Sequence, residues 1–143
     1  MPVTTQHLRE ILDELEIFHS YDKETNRILF YYKKTEPFQA DYKIIFTVSE
    51  ERKTIQANGI LCEKDLDDKD DFKAAYLFCN QWQTETFMPK VMVNPKGKFL
   101  ICEWTWDTDF EICDEALKMI VVNFVKCTEM CIRKAVEEGI YLV

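Results

Sequence analysis

The sequence predicts an α+β domain built on an antiparallel sheet, in the order α-β-β-β-β-α-β-β-α. Three observations predict it. The last third of the chain, Thr108 to Gly139, reads as one long amphipathic helix with a start signal and a stop signal. Between residues 17 and 61 lie four short β-rich runs separated by turn-like segments. After them a second helical stripe precedes two more strand-like runs joined by Pro95-Lys96-Gly97. Strands and helices grouped in this way, rather than in strict βα alternation, belong to the α+β class.

Thr4 or Thr5 caps the first helix, and Leu8, Ile11, Leu12 and Leu15 follow the i, i+3, i+4, i+7 spacing of an apolar stripe. His7 falls in the first turn on the wet side. Residues 17–21 and 28–32 form a predicted hairpin, the second strand apolar on both faces. His19 reads as a cross-strand partner. Tyr42, Ile44, Phe46 and Val48 alternate with polar neighbours, the pattern of a half-buried strand. Ile55, Ala57, Gly59 and Leu61 do the same, and the glycine predicts a bulge or a close approach.

The tract from Glu63 to Asp71 holds six acids against two lysines, which is half of the net charge of −8. It fails as a calcium loop: counted from Asp65, the positions that require an acid, glycine and glutamate are Lys69, Asp70 and Tyr76. Asp70 or Asp71 is instead placed to cap a helix from Phe72 to Gln83, whose stripe is Phe72, Ala75, Tyr76, Cys79 and Trp82. Phe87–Asn94 and Phe99–Trp106 then form a hairpin. The second of these carries Leu100, Cys102, Trp104 and Trp106 on one face and Phe99 and Ile101 on the other, so a central position is expected. Trp104 and Trp106 are core candidates, and either also suits a groove edge, where tryptophan favours partners.

The long helix opens on a predicted capping box of Thr108 and Glu111 and closes at Gly139. Its predicted inner stripe is Cys113, Leu117, Ile120, Phe124, Cys127, Cys131 and Ala135. Val121, Val122 and Val125 broaden the apolar surface beyond that stripe. Scattered exposed valines are ordinary. A second surface, such as another copy of the chain, is the other reading of them.

Composition limits the function. With 143 residues, 47% of them hydrophobic and 31% charged, one domain spanning 1–143 is expected, stable without metal or disulfide. The acidity argues against nucleic acid and against anionic membranes. No apolar run approaches the ~20 residues that span a bilayer, and the first residues lack a secretion-signal pattern, so the expected location is cytoplasmic. The six cysteines contain no C-x-x-C pair and read as packing residues, with no metal expected.

No nucleotide, serine-hydrolase or zinc-protease motif is present, and both histidines lie within the first 19 residues. A small enzyme using carboxylate acid–base chemistry, or a thiol-based metal or redox sensor, are the alternatives to a binding module.

Several stretches resemble the YbjN domain family. They are Val3-Thr4 with Leu8, Leu12 and Leu15, then Phe78-Cys79-Asn80-Gln81-Trp82, then Met92, the Pro95–Gly97 turn, the strand Phe99–Trp106 and the long helix. Asn80 and Trp82 occupy the family-motif positions. The resemblance implies a fold similar to type III secretion chaperones. It also implies no catalytic residue and no cofactor, a homodimer, and a protein or peptide partner held on apolar surface, in a chaperone-like role or as a sensory-transduction regulator. The expected partner or dimer contacts are Val121, Val122, Val125, Trp104 and Trp106. At the end of the second helix, Trp82 is expected to bury and Asn80 to bond backbone.

Overall fold

The computed structural model describes residues 3–32, 42–61, 69–94, 99–109 and 111–140. The elements are α1 (Thr5–Glu14), β1 (Ser20–Asp22), β2 (Arg27–Tyr32), β3 (Tyr42–Ser49), β4 (Thr54–Leu61), α2 (Lys69–Glu85), β5 (Lys90–Asn94), β6 (Phe99–Asp107) and α3 (Asp114–Glu137). This is the element order that the sequence predicts. The strands form one antiparallel sheet in the order β1-β2-β3-β4-β6-β5, so β6 lies inside it, as expected. The Pro95–Gly97 turn and most of the acidic tract lie outside the described residues.

Local chemistry sets the boundaries. Thr4 caps α1 by accepting the His7 N–H at 3.0 Å. The helix then closes on Glu16 at φ +58, with Ile17 N–H bonding Leu12 O at 2.9 Å. Ile17 therefore still belongs to the helix end, and β1 starts three residues later than the sequence implies. Gly139, at φ +78, closes α3 in the same way, and Ile140 N–H returns to Ala135 O at 3.0 Å.

The start of α3 corrects the expected capping box. The helix begins at Asp114, with Cys113 as N-cap and no side-chain cap bond. Thr108 is instead buried, and its N–H donates to Lys53 O at 2.8 Å, while Asp109 pairs with Lys53 Nζ at 2.7 Å. The turn between β3 and β4 thus holds these residues, and they cannot wind into the helix. At the other boundary, α2 runs past its expected limits, so Asp70 and Asp71 fall inside it rather than at a cap.

All three helices bury their apolar stripes in one core with the same sheet face. That face carries Ile28, Phe30, Ile44, Phe46, Ile55, Ala57, Val91 and Cys102. Phe124 of α3 packs edge-on against both Phe46 and Trp106, with centroids 5.9 Å apart in each pair. α1 is tied to α3 by His7–Asp114 at 2.7 Å and Glu14–Lys118 at 2.8 Å. His7 is thus an interhelical partner rather than a purely solvated side chain. His19 bonds Ile17 O at 2.9 Å within its own loop rather than across strands.

Gly59 explains the seating of α3. The ladder passes through it without a bulge, pairing Ile44, Gly59 and Cys102 in register. A Cβ there would lie 2.6 Å from Thr128 Cγ2, so the glycine serves a close approach. The buried face of α3 is Leu117, Val121, Phe124, Thr128, Cys131, Ile132 and Ala135. The helix is therefore turned from the expected stripe, with Val121 and Thr128 inward and Ile120 and Cys127 only half-buried.

This packing gives a testable outcome. Gly59→Ala forces a methyl against a stiff β-branched side chain and is expected to cost about 1–3 kcal/mol. Thr128→Ala should recover much of that cost in the double variant, measured by urea unfolding. Strict additivity would show that the two do not touch. Thr128 Oγ1 is buried without a hydrogen-bond partner, so Thr128→Val is expected to be neutral or stabilising by up to about 1 kcal/mol.

Candidate protein-binding surface

The candidate residues separate once placed on the fold. Val121 is fully buried within a single copy and has no surface to offer a second chain. Val125 is half-buried against the core. Val122 is 47% exposed. It lies on the outer face of α3 between two residues outside the predicted apolar set, Met119 at 62% exposed and Met130 at 56%. Positions 119, 122, 126 and 130 follow helical spacing, so Met119, Val122 and Met130 form an outward stripe interrupted by Lys126. The signal is present in the methionines, which an inner stripe does not include.

Trp104 and Trp106 lie on the core side of β6 and are both half-buried. Trp106 is committed to Phe124. Trp104 meets Phe87 with ring centroids 5.2 Å apart and planes tilted by 57°, and Phe87 is 84% exposed. That pair stands where the chain enters edge strand β5. Apart from its contact with Trp104, an aromatic side chain this exposed buries little within the isolated fold, so it is a contact candidate.

On α2, Tyr76 is exposed beside exposed Leu77, and Phe78 takes the inner position expected of Tyr76. Trp82 is buried as expected, stacks near Phe78 and donates from Nε1 to Pro89 O at 2.9 Å. Asn80 is exposed in the helix interior, because α2 continues five residues past it, so it makes no cap. Trp82 therefore anchors α2 to the start of β5, a structural role.

The second face of the sheet is the other surface of interest. Tyr31, Lys43, Ile60, Ile101 and Met92 align across it in register, with Leu29, Ile45, Asn58 and Glu103 in the next row. No described helix packs there. Tyr31 is 59% exposed on it. The expectation that β2 is covered on both faces thus gives way to a sheet lined by helices on one side.

Catalytic and metal chemistry turn on which ionisable side chains are buried or clustered. Among the described residues Thr108 and Thr128 are buried polar residues, the His19 side chain is buried with Nδ1 on Ile17 O, and the buried Tyr42 gives its hydroxyl to Glu129. No group of three or more His, Cys, Asp or Glu among them is placed to hold a metal. Cys79, Cys102 and Cys131 meet in the core between α2, β6 and α3. Burial raises the Cys79 thiol to about 11, and the hydrogen bond with Cys102 together with burial pushes Cys131 up further. Thiols held protonated in this way are poor nucleophiles and poor ligands. No helix among the described residues is long and apolar enough to cross a membrane.

With the geometry established, comparison with known proteins is informative at the level of fold. No family model matches, and no curated protein matches. Among solved structures, the chain is similar to YbjN from E. coli, described as a candidate transcription regulator. The TM-score is 0.71 at 13% identity, covering 97% of this chain and 96% of that one. The fold is YbjN-like. ExsC in the ExsC–ExsE complex is also similar, with a TM-score of 0.57 at 14% identity over 93% of this chain and 96% of that one. The YbjN-like fold, its single antiparallel sheet and its long C-terminal helix are those that the resemblance implies.

The thiols supply a check on the packing reading. A thiol reagent at pH 8 is expected to modify exposed Cys113 within minutes and to leave Cys79, Cys102 and Cys131 unmodified until the protein unfolds, as mapped by peptide mass spectrometry. Raising the pH to 9 should not release them, since Cys79 remains protonated below its raised value. Rapid native labelling of all three would mark them as reactive.

Proposed function

We propose that this chain is a non-enzymatic protein-binding module, chaperone-like or regulatory, that holds a partner polypeptide on apolar surface. It acts in the cytoplasm and as a homodimer. The observation that carries this reading is the outer stripe of α3. Met119, Val122 and Met130 point away from a core that is already complete without them. Exposed Phe87 on Trp104 adds a second apolar contact at the far edge of the sheet. Trp104, Val122 and, at its accessible margin, Val125 are therefore retained as contact residues; Val121 and Trp106 act behind them by fixing α3 on the sheet.

The likeness to ExsC supports the same reading, since that protein is found in complex with ExsE. A net charge of −8 favours a partner segment that is basic or apolar over an acidic one. The two ends of the sheet order, β1 and β5, are edges to which an extended segment can add main-chain hydrogen bonds.

Light scattering and cross-linking test the two parts separately. The wild-type chain is expected to scatter as a dimer at micromolar concentration, and a strictly monomeric species at high concentration would remove the dimer. A photo-crosslinker at position 119 or 87 should capture a partner or a second copy, whereas one at Glu24 in the β1–β2 turn should not. Met119→Glu with Met130→Glu is expected to weaken association at least 10-fold. Surface changes of this kind shift folding stability by no more than about 0.5 kcal/mol per site. Unchanged association in a folded double variant would move the interface off α3.

A further inference from the structure

A small cavity of about 190 Å³ opens between the ends of α2 and α3. Small-molecule sites run to about 300–1,000 Å³, so this one has room for a single side chain rather than a whole ligand. Phe78 and Trp82, both buried, form its floor, with ring centroids 6.2 Å apart. Its rim is exposed and polar, and carries Glu85 from α2 and the pair Lys134 and Glu138 from the end of α3.

The chemistry of the lining is one-sided. Trp82 Nε1–H is engaged by Pro89 O at 2.9 Å, so the indole offers the cavity only carbon surface. The Thr86 hydroxyl donates to Trp82 O, and Gln81 Nε2 donates to Glu85 Oε1 at 3.2 Å. Lys134 Nζ faces Glu138 Oε1 at 3.7 Å, so its charge is offset by a neighbour on its own helix. Each of these donors has a partner within the chain. Among the described residues no cation pairs with Glu85. What the cavity offers an occupant is aromatic carbon below and carboxylate oxygen above.

We infer that this cavity takes an arginine or lysine side chain of the partner polypeptide, its alkyl stem over Phe78 and Trp82 and its cationic head at Glu85. The inference rests on the protein-binding reading above and names one group that the partner carries. Long basic side chains lay their stems on apolar surface while the charge stays wet. A cation close to an aromatic ring face gains further attraction, and its hydrogen bond to a carboxylate is of the stronger, charge-assisted kind. Two carboxylates against one ammonium leave the rim net negative, which repels an acidic side chain. An uncharged aliphatic side chain would fill the floor and leave Glu85 without a partner while crowding it out of water. Thr86 is followed directly by exposed Phe87, so the cavity continues the apolar contact proposed at the start of β5.

The test follows the Trp82 indole N–H resonance in proton–nitrogen correlation spectra of the full chain. The N-acetyl amides of arginine, lysine and norleucine are titrated separately at constant ionic strength. The expected result is a saturable shift with the arginine or the lysine probe. Norleucine, of similar length and without charge, is expected to bind at least fivefold more weakly. Glu85→Gln, at an exposed site, should weaken the cationic probe at least threefold, and Lys134→Gln, which removes the one cation of the lining, should tighten it. A disturbed fold would not move the two variants in opposite directions. No saturable shift, norleucine binding as tightly, or an affinity unchanged in either variant overturns the site. The crosslinker at position 119 reads the protein-binding proposal by itself. Capture there without saturation here strikes only the cavity, and saturation here without capture there strikes the protein-binding reading and not the site.

Discussion

The approach of α3 to the sheet at Gly59 is the constraint on which the rest of the structure depends. A 24-residue helix can lie close over a central strand only where that strand has no side chain in the way. Gly59 removes the obstacle, and Thr128 enters the space. That contact fixes the rotation of the helix. Val121 and Phe124 then turn inward, and Met119, Val122 and Met130 turn outward as a direct consequence. The exposed stripe is therefore a product of the core geometry, and no separate feature has to be invoked for it.

Placing every helix on one sheet face has a second consequence. The covered face is dense with aromatic and branched side chains, with Phe30, Phe46, Phe124 and Trp106 in ring contact. The opposite face presents Tyr31 and Met92 beside Lys43 and Glu103, a mixture rather than a purely polar surface. One-sided antiparallel sheets ordinarily carry polar residues on the wet side. Here that side is mixed, while the acidic charge sits largely in turns and on helix exteriors. Among the described residues, much of the acidic charge is thus kept apart from the exposed apolar side chains of α3, Phe87 and the open sheet face.

Much of this architecture is legible from residue patterns, because strand alternation and helix stripes are set by burial, and burial of apolar surface is the main force driving the chain to fold. Tyr42 to Val48 and Ile55 to Leu61 announce both their faces. A close approach at Gly59 is one of the two roles that a glycine inside a strand suggests. The rotation of α3 is not legible: Ile120 and Val121 are equally apolar, and only the space over Gly59 decides which one points inward. The capping box fails for a related reason. Thr108 and Glu111 have the right spacing, but Lys53, 55 residues earlier in the chain, takes the Thr108 N–H first. Tertiary competition of this sort leaves no mark on local sequence. Among the proposed contact residues, Val122 and Trp104 are visible in the sequence, whereas Met119, Met130 and Phe87 need the fold to show which way they point.

The chemical nature of the exposed stripe limits what it can recognise. Two of its three apolar members are methionine, which is unbranched, polarisable and free in three torsions. Such a surface repacks around differently shaped partners and discriminates weakly by shape alone. Discrimination then has to come from the groups around it. Lys126 divides the stripe, and Arg133 lies two turns beyond it, but Glu129 and Glu137 share that half of the helix, so its charges are of both signs. In the proposed role, a segment lying along α3 would meet Met119, Val122 and Met130 with charges of both signs beside them. Charges held at fixed positions beside the stripe would favour the partner segment whose own charges complement them, even where side-chain packing is permissive. Adaptability in the apolar side chains and selectivity in the charges beside them would then be complementary, and the placement of both is set by the single helix rotation that Gly59 allows.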